Sequence, residues 1–180
     1  MHSILVLSDI HGDIDTLKLI LEKENYDYVF FLGDAIDYYW KEENKEVIDK
    51  LSNISKILFS VKGNCDNFHT SYNNPLIQRI TIDNINYVLT HGMLYNKDTV
   101  GDYDIYIEGH THKSKIIKEN NKIIINPGSI SKPRGNTYKS YIIIKNNIIY
   151  LKDIYGNIFS IARILGMSGA PRLRTLAHRT

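Results

Sequence analysis

Short clusters of Asp, His and Asn recur along the chain, each with a glycine nearby: Asp9 with His11, Gly33-Asp34, Gly63-Asn64-Cys65-Asp66, His91-Gly92, and Gly109-His110-Thr111-His112. Carboxylate, amide and imidazole donors together suit borderline divalent cations such as Mn, Fe, Zn, Co or Ni. Thiolate is missing from all but the third cluster, which argues against a closed structural zinc site. Glycine beside a ligand lets the backbone approach an ion closely. Each cluster taken alone has an ordinary reading as well. Asp9 and His11 suit a capped turn leading to Asp13, Gly33-Asp34 a simple turn, and Asn64 with Asp66 a pair of side-chain turns. His110 and His112 also suit two exposed strand positions. The set is what matters, because four of the seven histidines fall in such clusters, and unrelated turns would not gather them.

Something must bring these clusters together, and apolar runs precede them. Ile4 to Ser8 reads as a buried strand ahead of Asp9 and His11, Tyr28 to Leu32 as one ahead of Gly33-Asp34, and Ile57 to Val61 as one ahead of Gly63-Asn64. Between them, Asp13 offers an N-cap to a helix with Ile14, Leu17, Ile20 and Leu21 on one face, and Val47, Ile48, Leu51 and Ile54 mark a second helix. A β-α-β-α-β opening implies parallel strands, whose C-terminal loops converge. After Pro75, Ile77 to Ile82 and Asn86 to Thr90 read as a hairpin around Asp83, Asn84 and Ile85. Strand patterns follow at Ile105 to Glu108, Ser114 to Lys118, Lys122 to Asn126, Tyr138 to Lys145 and Ile148 to Asp153, with Asn-rich turns. The expected fold class is α/β: a β-sandwich of two mixed sheets flanked by helices, with the ligand clusters on one edge.

A length of 180 residues with 43% hydrophobic content suits one domain. Composition breaks near residue 161. Residues 1–160 hold Ala35 as their one alanine and Arg79 and Arg134 as their arginines, whereas the last twenty hold Arg163, Arg172, Arg174 and Arg179 and no Lys, Asn or acidic residue. We therefore expect a single domain over 1–160 and a non-native or disordered tail over 161–180, the alternative being a basic arm for nucleic acid. Without the tail's four arginines the net charge of +2 becomes −2. A body of that charge offers no broad basic groove, so nucleic acid is not the expected partner. Later apolar stretches such as Tyr141 to Leu151 are interrupted, here by Lys145, Asn146 and Asn147, well short of the roughly 20 residues of a membrane span. The first apolar run lacks a basic flank and a cleavage site, so no leader is expected. With Cys65 as the sole cysteine no internal disulfide forms, and the expected location is the cytoplasm.

In order, Asp9-Ile10-His11, Gly33-Asp34, Gly63-Asn64-Cys65-Asp66, His91-Gly92, Gly109-His110-Thr111-His112 and finally Asn126-Pro127-Gly128-Ser129 resemble the motifs of the calcineurin-like metallophosphoesterases. The nearest branch is that of the YfcE-type phosphodiesterases, whose scaffold the retromer subunit Vps29 shares. The resemblance runs from residue 1 to about 155. It implies a metallophosphoesterase-type sandwich with two divalent ions, Mn2+ favoured and Zn2+, Fe, Co2+ or Ni2+ accepted. Asp9, His11 and His112 would hold the first ion and Asn64, His91 and His110 the second, with Asp34 bridging. A hydroxide on the metals would attack a small phosphodiester or nucleotide in line. A homodimer or higher homo-oligomer is implied by the same likeness. The alternatives are a phosphomonoesterase or nucleotide phosphatase, and a non-catalytic Vps29-like scaffold; a scaffold is expected to have lost ligands, and none is lost here.

The catalytic set implied is Asp34, Asn64, Cys65, Asp66 and His91. Cys65 departs from the many relatives that carry histidine there, which leaves Asp66, that histidine's usual orienter, without its customary partner. A thiol is a weak acid beside imidazole, so substrates with easily departing groups, diesters above all, are expected. Cys65 reads equally as a small packed residue. Arg134 beside Pro133 reads as a phosphate contact or as an exposed turn, and His69 as a site residue or an exposed loop residue. Asp37, Tyr38, Tyr39 and Trp40 suit a cleft lining or an oligomer contact, Tyr39 and Trp40 equally the core.

Overall fold

The structure is a computed structural model and describes residues 1–39, 41–67 and 74–164. Four apolar residues form β1 (Ile4–Leu7), all buried because the strand lies inside a sheet with covered faces. Helix α1 (Ile14–Lys23) follows. The Asp13 carboxylate caps it, accepting from the Thr16 backbone N–H at 3.1 Å, and Ile14, Leu17 and Ile20 make its buried stripe. Next come β2 (Tyr28–Phe31), α2 (Glu42–Ser52) and β3 (Ile57–Ser60), then one 3-10 turn at Cys65–Asn67. Both strands pair in parallel, β1 with β2 and β2 with β3, as the two helical crossovers require.

The second half is sheet: β4 (Ile77–Ile82), β5 (Ile85–Thr90), β6 (Ile105–Ile107), β7 (Lys115–Glu119), β8 (Lys122–Asn126), β9 (Ser140–Lys145), β10 (Ile148–Asp153) and β11 (Ile158–Arg163). One sheet runs β11-β10-β9-β1-β2-β3 and the other β4-β5-β6-β8-β7. Both are mixed, since β9 runs against β1 in the first while β5, β6 and β8 are parallel in the second. Alternation sorts the side chains of β1. Ile4 and Val6 join Phe30, Leu89, Ile107 and Ile125 between the sheets, while Leu5 and Leu7 pack with Leu17, Ile20 and Val47 under the helices. Both helices therefore cover the first sheet. Among the described residues the outer face of the second, Val88, Tyr106 and Ile124, is covered by Val100 and Tyr103.

Two expectations are corrected. The β4–β5 turn holds two residues, Asp83 and Asn84, both left-handed at φ 51° and 63°, and Ile85 belongs to β5 as a core residue. Asn120-Asn121 and Asn146-Asn147 repeat that left-handed pair, the conformation that two-residue hairpins need to match strand twist. The tail boundary expected at residue 161 falls inside β11, where Ile161, Ala162 and Arg163 pair with Tyr150, Ile149 and Ile148. Ala162 and Ile164 reach the core. Composition does not reveal backbone pairing, and residues 165–180 lie outside the described part. No helix among the described residues is long and apolar enough to cross a membrane.

Candidate metal centre

Five of the seven expected ligands stand in the left-handed region: Asp9 (φ 54°), His11 (46°), Asp34 (57°), His110 (63°) and His112 (58°). For residues with a Cβ this costs on the order of 1–3 kcal/mol each and persists only where the surroundings impose it. Here the loops are laced together. The backbone N–H groups of Asp9, Ile10 and His11 donate to the carbonyls of Gly33 and Asp34 at 2.9 to 3.1 Å. The Asp66 carboxylate accepts from the backbone of Asp34 (2.8 Å), Ala35 (3.0 Å) and Gly63 (2.8 Å). With cysteine rather than histidine before it, Asp66 clasps the Asp34 loop instead, and its burial raises its pKa. A Cβ on Gly63 would lie 2.1 Å from Asp34 Oδ1, and one on Gly109 2.1 Å from Ser8 Oγ, so glycine is required where the loops touch. The Asn126–Ser129 segment braces the site from outside: Asn126 Nδ2 donates to the Gly109 carbonyl and Ser129 Oγ to the Asp9 carbonyl.

The donor atoms converge in two groups. His112 Nε2 lies 3.1 Å from Asp9 Oδ1 and 3.2 Å from His11 Nε2. Asn64 Oδ1 lies 3.1 Å from His91 Nε2 and 2.9 Å from His110 Nδ1. Asp34 Oδ2 stands between them, 3.9 Å from His11 Nε2 and 3.5 Å from His91 Nε2, while Asp34 Oδ1 accepts from the Cys65 N–H at 2.8 Å. The outward nitrogens of two imidazoles are also fixed. His91 Nδ1 donates to the Leu32 carbonyl at 2.7 Å and His112 Nδ1 to that of Lys132 at 2.6 Å, which turns each neutral Nε2 lone pair toward the centre.

One atom tests whether a cation suits this ring. Asp9 is wholly buried; Oδ2 accepts from Ser8 Oγ (2.5 Å) and the His110 N–H (3.1 Å), but Oδ1 has no hydrogen-bond donor. His112 approaches it at ion-pair distance without hydrogen-bond alignment. An orphaned buried carboxylate oxygen is costly, and a divalent ion held with His11 and His112 satisfies it. The donor atoms of Asp9, His11 and His112 lie within 4.8 Å of one another, as do those of Asp9, Asp34 and His91. The residues fit a divalent metal.

Burial is the largest influence on His11, Asp34, Asp66, His91, His110 and His112. It lowers the pKa of His11 and, with the charge of His91, that of His110. At His91 and His112 burial is outweighed by the carboxylates of Asp34 and Asp9, and both imidazoles are held above their usual value. Asp34 is held low despite its burial by His91 and the Cys65 N–H.

All nine residues expected at the site are among those described. Cys65 is 2% exposed, its sulfur 3.3 Å from Asn64 Nδ2, and burial raises its thiol pKa far above the usual range. Its sulfur nevertheless faces the centre, within 4.8 Å of donor atoms of His11 and Asp34. Tyr38, expected as a cleft lining or an oligomer contact, places its hydroxyl 2.6 Å from Asn64 Nδ2. Asp37 Oδ1 lies 3.1 Å from His11 Nδ1, outside hydrogen-bond alignment, and 2.5 Å from Lys132 Nζ. Lys132 went unsignalled, although it follows Asn126–Ser129 closely. Arg134 is near enough for its charge to act on His112. Tyr39 is 82% exposed and so outside the core; Trp40 and His69 lie outside the described residues.

Comparison with known proteins gives this geometry relatives. The pattern of the calcineurin-like phosphoesterase superfamily domain matches residues 2–147. The phosphodiesterase YfcE of Escherichia coli K12 is 26% identical over 167 residues, covering 83% of this chain and 90% of its own length. A probable metallophosphoesterase of Methanocaldococcus jannaschii, MJ0623, is 30% identical over 146 residues, 72% of this chain and 68% of the relative. The solved structure of E. coli YfcE superposes with a TM-score of 0.79 at 21% identity, covering 91% of this chain and all of that one. Wild-type Vps29 of Entamoeba histolytica, complexed with Zn2+, superposes with a TM-score of 0.67 at 22% identity, covering 89% and 97%. At such identities the superpositions speak for the fold.

Proposed function

The chain belongs to the calcineurin-like phosphoesterase superfamily, and from that premise we propose that it is a metal-dependent phosphodiesterase acting on small phosphodiesters or nucleotides. The observation that supports this reading is the completeness of the ring, with Asp34 Oδ2 standing between the His11 and His91 nitrogens. In this reading Asp9, His11 and His112 would hold one divalent cation and Asn64, His91 and His110 a second, with Asp34 a ligand shared between them. Two such cations, when bound, supply an activated water and offset charge on the phosphoryl oxygens. Manganese is the ion proposed first; the donor set accepts zinc, iron, cobalt and nickel as well.

The chain's own residues supply orientation and field. Asp34 is anchored through one oxygen by the Cys65 N–H, leaving the other for the centre. The Leu32 and Lys132 carbonyls hold two imidazoles in the ligating tautomer. Lys132 and Arg134 add positive charge on the His11 and His112 side, which favours an anionic substrate. The residue after Asn64 is the buried Cys65, so a departing oxygen meets no imidazole there. That favours leaving groups needing little acid assistance, and diesters over alkyl monoesters.

A second reading, a scaffold without catalysis, draws on the likeness to Vps29. Because that protein's structure holds zinc, metal uptake alone does not separate the two; hydrolysis does. Protein reconstituted with each metal is to be assayed on bis-p-nitrophenyl phosphate, p-nitrophenyl phosphate and cyclic nucleotides. We expect diester cleavage that chelation abolishes and Asp34→Asn lowers by roughly 100-fold or more. Metal-loaded protein inert toward all three would move the assignment to the scaffold.

A further inference from the structure

Asn64 differs from the other six donors because its amide has two ends of nearly the same shape, and only the oxygen binds a cation. Turned over, it would set two N–H hydrogens against positive charge. Something must decide which end faces His91 and His110. In the structure Oδ1 faces them at 3.1 and 2.9 Å, and Nδ2 points the other way, to Tyr38 Oη at 2.6 Å and Cys65 Sγ at 3.3 Å. Sulfur is a weak acceptor, so of these two the phenol oxygen is the one that discriminates between the two ends.

We infer that Tyr38 is a positioning residue of the metal centre, its hydroxyl accepting from Asn64 Nδ2 and thereby holding Oδ1 toward the second cation. This rests on the two-cation reading above. Tyr38 follows Asp34 on the loop after β2, so the loop that carries the bridging carboxylate also orients the amide on the loop after β3. The relation is reciprocal, because Asp66 from the β3 loop accepts the Asp34 and Ala35 N–H groups. The Tyr38 ring is 55% exposed. Its place is therefore not imposed by core packing, and removing the hydroxyl leaves the fold intact.

The test is Tyr38→Phe, which keeps the ring and deletes the hydroxyl. Metal-free wild type and variant are titrated with Mn2+ in the absence of substrate, free ion being followed by electron paramagnetic resonance. Wild type is expected to show two binding events. In the variant one of them weakens by roughly 10-fold to 100-fold while the other is unchanged. Asn64→Ala, which deletes the ligand itself, must weaken the same event. Two unchanged affinities in Tyr38→Phe overturn the inference, as does equal weakening of both, which is the mark of general loosening. Wild type failing to take up two ions overturns the two-cation reading instead, before Tyr38 comes into question.

Discussion

Protons and cations compete for the same lone pairs at this centre, and the four imidazoles enter that competition unequally. His11 and His110 are held low by burial and are neutral near neutrality, whereas Asp9 and Asp34 hold His112 and His91 above their usual value despite burial. Each proposed cation therefore has one ligand already free and one that must release a proton. The sign follows. In the metal-free protein, stabilisation from the raised pair is complete below the unfolded imidazole pKa and is lost as pH rises through the folded values, just where the lone pairs open to metal. Manganese affinity should strengthen with rising pH until His91 and His112 are neutral, by about tenfold per pH unit for each proton displaced. Titration calorimetry between about pH 6 and pH 8, in buffers of differing ionisation enthalpy, reads both the affinity and the protons released. Affinity flat across that range, with no proton release, would contradict the assignment. The clusters that carry the seven proposed ligands were legible in the sequence because their types and adjoining glycines repeat after apolar runs. Asp37 and Tyr38 were legible only as a cleft lining or an oligomer contact and Lys132 not at all, since what they touch depends on how each loop turns once its strand has ended.

Strand β11 shows where an element escapes pattern reading. Ile158 to Arg163 straddles the change in composition, and the residues that break the chain's Lys- and Asn-rich habit also complete the first sheet. Apolar runs marked the other strands, the Asn pairs at 120–121 and 146–147 marked two of the turns, and Asp13 marked the start of α1. The loop carrying Val100 and Tyr103 over the second sheet has no period to read, so the cover on that face was invisible. The corrected boundary is testable. A chain ended after Ser160 loses the pairing of Ile161, Ala162 and Arg163 with β10 and the burial of Ala162 and Ile164. Burying one isoleucine is worth roughly 1.5–3 kcal/mol. The chain ended after Ser160 should thus be less stable than one ended after Ile164 by about that amount, read as a lower midpoint in urea. Equal midpoints would mean that the sheet is complete without its last residues.

Across the whole molecule, the centre sits where two sheets meet, and each proposed cation draws ligands from both. Asp9, His11, Asp34 and Asn64 follow β1, β2 and β3 of the first sheet; His91, His110 and His112 follow β5 and β6 of the second. Elsewhere the sheets are joined by the apolar layer around Phe30, Leu89 and Ile107 and by the Lys118 ammonium donating to the Arg163 carbonyl. Metal at this edge is a cross-link between layers as well as a reagent. Free ion at a hundred times its dissociation constant stabilises the folded state by about 2.7 kcal/mol per site. For a chain of this length that corresponds to a rise in melting temperature of roughly 5–10 °C. Chelated protein should keep its far-ultraviolet circular dichroism, since no strand or helix depends on the ions, yet melt lower by that margin, and Asp34→Asn should gain much less on adding metal. An unchanged melting temperature at saturation is possible only if the unfolded chain binds the ions as tightly as the folded one. That outcome would remove the convergence of five loops as the basis of binding, because the convergence exists only in the folded state.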